Sequence, residues 1–523
     1  MEFYQYLNSN NLTNLLNRVE FDPPKFLTED KLYTQFDNIR KNKNKLKILV
    51  HGDCDVDGVF SAKIILEFFK LLKCDNVDFF EYKKRTHNLD YDCVRKAIDE
   101  KYNYLIILDS STNDLPNIYE LVNNGVIPII IDHHNPKYNY SNYPSECIIV
   151  NNKIDNGIIG KEKYKLSCGA LTFCLCSKYL KQNFIDYKYL SSYALATLYS
   201  DCIDMTDDLN RGIYYMAVDL ETNELPVYFK HFMNYKNVEF NRRFIEFNFC
   251  PKINSLFRAE KLEIVNNYFF REHKGLDYTD IINDILKVYE ESSKLVNMVV
   301  DLFKPTVLNN IVYGDLSNLD IPIKHNKLFN YTGLIANSIS QNYGKPCVIT
   351  CYNGTDIKGS FRDCFSRRYL KIFAQFCKAE GHDAAFGISI NNKDYRKFIR
   401  YLTDKVDKNF FNLGIPELVK IEINENRPDK KLINDIALYN EFAGIECQKA
   451  IITKRNNLTL KKSFSKYYPY CYSFGGFTIN SSKKLPPNYN MEIMAIKAEP
   501  VRLVIVNKVV TIWNIYILCQ TLM

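Results

Sequence analysis

Apolar runs and polar loops alternate regularly between about residues 45 and 151. Four short apolar runs predict strands, over 46–50, 105–108, 126–131 and 147–150. Apolar residues spaced three or four positions apart predict helices over 59–72 and 115–123. Short, continuously apolar strands that alternate with helices indicate a parallel sheet covered on both faces. In such a sheet, ligands bind at the carboxyl ends of the strands.

The remaining pattern predicts two more structural regions. Helical spacing continues over 167–181 and 189–199, and the stretch 278–303, with few helix-breaking residues, predicts a long connecting helix. Strands over 310–313 and 347–351, with a helix over 333–343, predict a second, smaller α/β domain. Beyond about residue 408, short alternating strands with turn signals predict a β-rich domain, for which a barrel is one candidate form. The predicted fold class is therefore α/β with a C-terminal β-rich domain.

Composition adds a few constraints. A chain of 523 residues exceeds one compact core, so about two to four domains are expected. The net charge of +7 permits an anionic partner without requiring one. The sixteen cysteines form no CxxC pair, and without an evident signal peptide they favour reduced, buried thiols. The apolar run over 509–523 is too short to span a bilayer. We expect a cytoplasmic protein without membrane association.

Side chains with metal-binding chemistry follow two of the predicted strands. The sequence HGDCDVDG (residues 51–58) comes directly after the first strand, and Asp132-His133-His134 follows the third. Carboxylates and imidazoles suit Mn²⁺ or a similar divalent ion better than structural zinc, which favours thiolates. Asp109 and Asp201 stand at the ends of a further strand and a helix, so these residues can converge on one cleft. The combination predicts metal-assisted attack of water on a phosphodiester.

Simpler interpretations exist for each segment alone. The series Asp53-x-Asp55-x-Asp57-Gly58 resembles an EF-hand loop, but its twelfth position would be Ile64 instead of a bidentate Glu. It could also be a plain acidic loop, and Asp-His-His-Asn-Pro could be a surface turn. Neither interpretation explains why all these groups stand at the ends of predicted elements.

The order of the segments resembles the DHH phosphoesterase family. HGDCDVDG, LDSST, DHHNP and the Ser-Asp of ATLYSDCIDMTDDLNR are similar to its four motifs. LSCGA (166–170), Asn210-Arg211 and CPKINSLFR (250–258) resemble the RecJ branch, the single-strand-specific 5′ exonucleases. TGLIANSISQNYGKPCVI, GSFRD (359–363) and EGHDAAFG (380–387) resemble the DHH-associated domain. The resemblance covers roughly residues 45–390.

This resemblance implies a role for each matching residue. His134 is implied near the scissile phosphate, as an acid or an electrostatic stabiliser, and Asp132 orients the site. Asp109 is implied as the ligand that bridges two Mn²⁺ or Mg²⁺ ions. The implied metal ligands are His51, Asp55, Asp57, Asp109, His133 and Asp201. The implied phosphate- or nucleotide-binding residues are Arg258, Ser360, Arg362 and His382.

Two residues depart from the family pattern. Asp363 stands where the family usually has a small hydroxyl residue, and Glu380 replaces the first glycine of its GGH motif. Both are expected to add negative charge near an anionic substrate, which affects substrate preference more than metal chemistry.

Two segments have the composition of a nucleic-acid surface. Arg362, Arg367, Arg368 and Lys371 form a basic cluster, which fits either a solvated helix face or a track for phosphates. The segment KYYPYCYSF (466–474) has aromatics suited to base stacking, although aromatics at strand spacing also fill barrel cores. RecJ proteins carry an oligonucleotide-binding barrel in this position, so the β-rich domain is compatible with an OB-like domain in place and size.

The predicted organisation has five segments. They are an N-terminal extension (1–44), a DHH catalytic domain (45–277), a connecting helix (278–307), a DHH-associated domain (308–407) and a β-rich, OB-like nucleic-acid-binding domain (408–523).

The expected function is 5′ to 3′ degradation of single-stranded DNA, in repair or recombination, through water activated by two metal ions. One alternative is a DHH phosphodiesterase acting on short oligoribonucleotides or small nucleotides, whose chains typically lack the RecJ-type insertions and terminal domain. The other is a non-catalytic, RecJ-like DNA-binding factor of replication or repair, which the complete ligand set disfavours. The expected partner is single-stranded nucleic acid, with DNA favoured over RNA. A monomer is expected, with a single-strand-binding protein or helicase as a candidate protein partner.

Overall fold

The chain folds as two compact units, here called the N-terminal unit (19–293) and the C-terminal unit (294–522 together with 1–18). Both are described from a computed structural model. The described residues are 3–86, 88–154, 165–271, 278–317, 319, 325–352, 355–364, 367–382, 384–409, 419–422, 429–443, 450–455, 459–462, 470–474, 477–481, 490–496 and 502–505. Side chains from residue 451 onward lie outside the description.

A five-stranded parallel sheet forms the centre of the N-terminal unit. Its strands are β1 (Ile48–Gly52), β2 (Val77–Phe79), β3 (Tyr104–Leu108), β4 (Ile127–Asp132) and β5 (Ile148–Asn151). They lie in the order β2-β1-β3-β4-β5, and every neighbouring pair is parallel. The predicted parallel sheet is therefore confirmed. β2 was not predicted, because a three-residue strand gives too short a pattern to recognise.

Helices cover both faces of this sheet. In chain order, the helices of this half of the sequence are α1 (Phe3–Ser9), α2 (Glu29–Lys41), α3 (Val56–Leu71), α4 (Tyr91–Asp99), α5 (Leu115–Asn123), α6 (Cys168–Gln182), α7 (Ser191–Ser200), α8 (Asp208–Val218), α9 (Val227–Lys236), α10 (Cys250–Arg258) and α11 (Leu262–Phe269). One face packs against α4 and α5 through side chains such as Leu105, Ile130 and Val94. On the other side, α3 contacts β1, and α6 and α7 pack against α3.

The long helix α12 (Tyr278–Leu302) carries the chain from the N-terminal unit into the C-terminal unit. It matches the predicted connecting helix. A six-stranded mixed sheet follows, with β6 (Thr306–Val307), β7 (Val312–Asp315), β8 (Cys347–Tyr352), β9 (Ile357–Arg362), β10 (Lys378–His382) and β11 (Ala385–Ile390). Its order is β10-β11-β9-β8-β7-β6, and of its neighbouring pairs only β7 and β8 run parallel.

Helices of the C-terminal unit pack against this sheet or follow it. They are α13 (His325–Leu328), α14 (Thr332–Tyr343), α15 (Leu370–Phe373), α16 (Tyr395–Tyr401), α17 (Asp407–Asn409) and α18 (Lys430–Phe442). Helix α14 packs on β8 and β9, where Ile335 and Ile339 join Ile349 in the core. A second core cluster holds Phe361 and Phe386 in a stack with ring centroids 4.6 Å apart.

A seven-stranded sheet occupies the last part of the C-terminal unit. Its strands are β12 (Val419–Glu422), β13 (Ala450–Arg455), β14 (Thr459–Lys462), β15 (Tyr470–Phe474), β16 (Phe477–Ser481), β17 (Asn490–Ile496) and β18 (Arg502–Ile505), in the order β12-β13-β17-β18-β16-β15-β14. This agrees with a β-rich domain, to which the structure adds helix α18. OB-like character and the domain boundaries stay predictions. Lys466 and the run 509–523 lie outside the described residues.

The N-terminal 44 residues contribute to both units. Helix α1 packs against α18, where the Tyr4 hydroxyl donates to Asp435 Oδ2 at 2.7 Å and the Phe3 ring lies 5.6 Å from that of Tyr439. Helix α2 belongs to the N-terminal unit, where the Phe36 ring lies 4.7 Å from that of Phe68. Among the described residues, no helix has the length and apolar character needed to cross a bilayer.

Asp363 and Arg367 form a buried ion pair after β9. The guanidinium of Arg367 donates two parallel hydrogen bonds to Asp363, at 2.8 and 2.7 Å, and both side chains are almost fully inaccessible. The expectation that Asp363 adds charge near the substrate is therefore wrong. Arg367 is equally unavailable as a solvated or phosphate-binding residue, while Arg368 and Lys371 are exposed. A bidentate pair of this kind satisfies both charges within the fold.

Removing one member of this pair should destabilise the C-terminal unit. Arg367→Met leaves the Asp363 carboxylate buried without its guanidinium, at a cost of about 3–5 kcal/mol. Differential scanning calorimetry of the full chain should show this as a lower melting temperature. Asp363→Asn combined with Arg367→Met should recover most of the loss, because no buried charge then lacks a partner. Arg368→Met is the exposed control, and an equal loss there would contradict the assignment.

Candidate metal centre

A tight turn after β1 gathers acidic side chains at the carboxyl end of the sheet. Two glycines permit it, because a Cβ on Gly58 would overlap the Asp53 carbonyl oxygen and one on Gly52 would overlap that of Gly58. Asp55 caps helix α3 by accepting a hydrogen bond from the Gly58 N–H at 3.0 Å. The cap fixes the Asp55 side chain beside the end of β1.

Asp57, in the first turn of α3, is held by the amino end of α6. Its two carboxylate oxygens accept hydrogen bonds from the backbone N–H groups of Cys168, at 2.8 Å, and Gly169, at 2.7 Å. The partial positive charge of a helix amino end favours such a carboxylate. Gly169 also packs directly on Thr197, so no larger residue fits there. The position of Asp57 therefore depends on α6 as well as on its own helix.

The imidazole of His133 lies among three carboxylates. Its Nε2 is 3.3 Å from Asp109 Oδ1, 3.4 Å from Asp201 Oδ2 and 3.6 Å from Asp57 Oδ2. Its Nδ1 lies 2.9 Å from the carbonyl oxygen of Leu166, which fixes Nδ1 as the protonated nitrogen of a neutral ring. Burial lowers the pKa of His133 and keeps the ring neutral. Its Nε2 lone pair thus faces carboxylate oxygens, an arrangement that a cation would stabilise.

Three groups of side chains are close enough to share a metal ion. Within each group, one ligand atom per residue lies within 4.8 Å of the others. The groups are Asp109 with His133 and His134, Asp57 with His133 and Asp201, and Asp53 with Asp55 and Asp109. Asp109 and His133 each belong to two groups, so the ligand sets are contiguous. This arrangement suits two neighbouring ions with a shared carboxylate.

The carboxylates of this cluster repel one another. Burial, followed by the charges of Asp201 and Asp55, raises the pKa of Asp57 well above its ordinary value. Burial and the charges of Asp57 and Asp55 do the same for the pKa of Asp109. Asp109 itself has φ +62°, an uncommon conformation for a residue with a side chain. Divalent cations would offset this repulsion, and oxygen-rich donor sets are those that Mn²⁺ and Mg²⁺ prefer.

His51 offers a further nitrogen donor at the end of β1. It is buried, and its Nδ1 has no hydrogen-bond partner within the described part of the chain. Burial lowers the pKa of His51 to about 4, so the ring is neutral, as a metal ligand must be. It belongs to none of the three groups, however, so its role as a ligand stays a prediction. A buried imidazole nitrogen without a partner fits a site that takes a cation.

Asp132 and His134 form an ion pair beside the cluster. Asp132 accepts hydrogen bonds from the backbone N–H groups of Thr112, His133 and His134, and from His134 Nδ1 at 2.8 Å. Burial alone would raise the pKa of Asp132, but His134 and these donors lower it far below its ordinary value. Burial opposes a charge on His134, but Asp132 outweighs it and raises the pKa of His134 to about 9. The half-exposed His134 is therefore a cation at neutral pH.

Sequence reasoning passed over Asp53. It is buried and groups with Asp55 and Asp109, although the resemblance gave it no role. The available signal was the spacing of three acids at alternate positions after a strand. In an extended turn that spacing allows all three to reach the same end of the sheet.

The predicted phosphate ligand Arg258 ends helix α10, which is tied to the metal-site elements. Asn254, one turn earlier, accepts a hydrogen bond from the Val56 N–H at 3.1 Å and donates to Ser200 Oγ at 3.3 Å. It thereby joins the start of α3 to the end of α7, next to Asp201. Arg258 is partly exposed. Its contact with a phosphate stays a prediction.

Ser360 and Arg362 meet at the amino end of α14 in the C-terminal unit. Ser360 Oγ lies 2.9 Å from Thr332 Oγ1, and a Cβ on Gly333 would lie 2.7 Å from Arg362 Nη2. Only glycine at 333 leaves the guanidinium this close to the helix end. A hydroxyl, a guanidinium and a helix amino end together can bind an anion.

The other residues predicted in this unit lie on β10. His382 ends that strand, and its side chain lies outside the described residues. Glu380 is more than half exposed and lies 3.6 Å from Lys378 Nζ. Its expected effect on a substrate stays a prediction.

Part of this chain matches a known protein family. Residues 47–198 match the model of the DHH family, N-terminal domain. The chain carries a DHH-family domain. This DHH domain contains the turn after β1, Asp109 and Asp132-His133-His134.

Most of the chain is also similar to known proteins. A curated protein of Bacillus subtilis (strain 168), "Putative SPbeta prophage-derived single-strand DNA-specific exonuclease YorK", is 23% identical over 498 residues, which cover 84% of this chain and 81% of that protein. RecJ from Thermus thermophilus in complex with Mn²⁺ has a TM-score of 0.70 at 14% identity, over 94% of this chain and 73% of RecJ. The Mg²⁺ complex has a TM-score of 0.63 at 13% identity, over 95% and 72% of the two chains. The fold around the DHH domain is RecJ-like.

Bound metal ions should offset the repulsion between the buried carboxylates of the DHH domain and so stabilise it. A raised pKa lets folded Asp57 and Asp109 keep protons that the unfolded chain releases near about pH 4. The melting temperature without metal should therefore fall as the pH rises above that value. Asp109→Asn should raise the melting temperature at pH 7.5 without metal, because it removes one of the buried charges that repel each other.

Added Mn²⁺ should raise the melting temperature of the wild-type chain and have little effect on Asp109→Asn. Differential scanning fluorimetry with a chelator and with graded Mn²⁺ measures both effects. Asp99→Asn, an exposed change in the same unit, is the control. A destabilised metal-free Asp109→Asn that still responds fully to Mn²⁺ would show that the carboxylates do not form this centre.

Proposed function

We propose that this chain is a RecJ-like exonuclease that hydrolyses single-stranded DNA in the 5′ to 3′ direction. The observation that carries the proposal is the sharing of Asp109 and His133 between ligand groups. Contiguous groups with a common carboxylate suit phosphodiester hydrolysis at two metal ions. The name of the B. subtilis relative and the RecJ-like fold support nuclease activity and single-stranded substrates. The direction of hydrolysis rests on the resemblance to RecJ.

In this proposal the ligands are His51, Asp53, Asp55, Asp57, Asp109, His133 and Asp201. Bound Mn²⁺ or Mg²⁺ would activate water and offset charge on the phosphoryl oxygens. Asp132 accepts a hydrogen bond from His134 Nδ1–H and stabilises the protonated ring as a cation. His134 Nε2–H is then available to stabilise the phosphoryl charge or to donate a proton to the leaving oxygen.

Arg258, Ser360 and Arg362 bind phosphates of the strand in this proposal. The guanidinium fork of each arginine matches two phosphate oxygens, and the Ser360 hydroxyl adds a donor. His382 is a further candidate contact with the nucleotide. Arg368 and Lys371, which are exposed, remain candidates for a basic track.

Asp109→Ala should reduce hydrolysis by roughly 10³-fold or more, because the loss of a shared ligand removes several kcal/mol of transition-state stabilisation. The assay uses one DNA sequence, single-stranded or duplex, labelled at either end, with the matching RNA and a dinucleotide, at graded Mn²⁺. Wild-type protein should release the 5′ label at once as a mononucleotide and shorten the 3′-labelled strand gradually. Asp99→Ala is the matched control.

Near-normal hydrolysis by Asp109→Ala would refute the metal mechanism. Early release of the 3′ label would reverse the direction. Preference for the dinucleotide would instead identify a phosphodiesterase for small substrates, and metal binding without hydrolysis of any substrate would favour a non-catalytic factor.

Arg362→Gln should raise KM for a 5′-phosphorylated strand by roughly 10–100-fold, because a hydrogen bond to a charged group contributes about 1.5–3 kcal/mol. The kcat should change less, since the metal ligands are intact. Steady-state kinetics with 5′-phosphate and 5′-hydroxyl strands give the comparison. Arg396→Gln, an exposed change on α16, is the control, and an equal effect of both variants on both strands would exclude a specific phosphate contact by Arg362.

A further inference from the structure

Residues 165–169, here called the 165–169 segment, support two proposed metal ligands from different elements. The Leu166 carbonyl accepts a hydrogen bond from His133 Nδ1 at 2.9 Å. The N–H groups of Cys168 and Gly169 donate to Asp57. A displacement of this segment would therefore move a ligand on α3 and a ligand after β4 together.

Asn210, on helix α8, fastens the start of this segment. Its Nδ2 donates to the carbonyl oxygens of Lys165 and Asp204, both at 2.8 Å, and the side chain is fully buried. Lys165 immediately precedes Leu166, and Asp204 lies three residues after the ligand Asp201. One amide group thus links the 165–169 segment to the loop that carries Asp201. Ser167 provides a second anchor through Thr197 Oγ1 at 2.8 Å.

The three ligands supported in this way form one of the groups described above, Asp57 with His133 and Asp201. The group of Asp53, Asp55 and Asp109 is held by the turn after β1 and by the end of β3, and no described hydrogen bond joins Asn210 to those elements. The described hydrogen bonds of Asn210 therefore reach the supports of the first group and not those of the second. A change at Asn210 should alter the first metal position more than the second.

We propose that Asn210 is a positioning residue for the Asp57–His133–Asp201 metal position and not for the Asp53–Asp55–Asp109 position. The inference rests on the proposed function, in which both positions bind a metal ion. Residues that orient metal ligands typically change metal affinity by about 10–100-fold when they are replaced. Loss of the Asn210 amide should therefore weaken one of two binding steps by about that factor.

Isothermal titration of the full chain with Mn²⁺, supported by electron paramagnetic resonance of the bound ion, tests the inference. Wild-type protein should bind two ions. Asn210→Ala should bind one ion as tightly as wild type and the other about 10–100-fold more weakly. Asn210→Leu fills the same space but has no hydrogen-bond donor, and it should show the same Mn²⁺ binding as Asn210→Ala. Agreement between the two variants would attribute the effect to the lost hydrogen bonds and not to lost packing.

Asn440→Ala is the matched control. Asn440 is also a buried amide, with hydrogen bonds of 3.0 and 2.8 Å to the backbone of Ala450, but it lies in the C-terminal unit. It should lower the melting temperature and leave both Mn²⁺ steps unchanged. If Asn210→Ala does not fold, the same Mn²⁺ titration is carried out with Asn210→Leu and with the milder Ser167→Ala. Ser167→Ala removes the hydrogen bond between Ser167 and Thr197, the second anchor of the 165–169 segment.

Wild-type binding at both steps in the Asn210 variants would overturn the inference, and so would equal weakening of both steps. Either result would leave the proposed function standing, because wild type would still bind two ions. A wild-type chain that binds no Mn²⁺ would overturn the proposed function and this inference together.

Discussion

The N-terminal unit holds several acidic side chains close together at the carboxyl end of its sheet. Their mutual repulsion is the constraint that the surrounding structure has to satisfy. Parallel strands place their carboxyl ends at one edge, so Asp53, Asp109 and Asp132 are brought together by topology alone. The surrounding structure then stabilises each charge separately. Asp57 has the amino end of α6, Asp132 has His134 and three backbone donors, and Asp55 caps its own helix. The repulsion that remains is what divalent cations would remove.

Much of the N-terminal unit could be predicted from the sequence because its strands are short and continuously apolar. Helix α5 has the predicted bounds, and the four predicted strands lie within two residues of β1, β3, β4 and β5. The three-residue β2 was missed, and helix α4, for which no prediction was made, is seen only in the structure. Which acids share a ligand group depends on side-chain direction in the turn after β1. The hydrophobic periodicity of the sequence does not show in which direction the side chains of a turn point, so the sequence analysis gave Asp53 no role.

The C-terminal unit shows where reasoning from charge alone fails. Arg362, Arg367, Arg368 and Lys371 form one basic cluster in the sequence, yet the structure separates them. Arg367 is internal and neutralised, Arg362 faces the start of α14, and the other two are exposed. A spacing of four residues between Asp363 and Arg367 was compatible with an ion pair. Nothing in the sequence showed that both side chains would point inward.

The Asp363–Arg367 pair also has a consequence for how this lineage diverged. With a small hydroxyl residue in place of Asp363, Arg367 would be buried without a counter-charge. Either residue without the other would leave a buried charge unpaired and destabilise the fold. The two positions are thus expected to change together among descendants, and a sequence that has Arg at 367 should have an acid at 363.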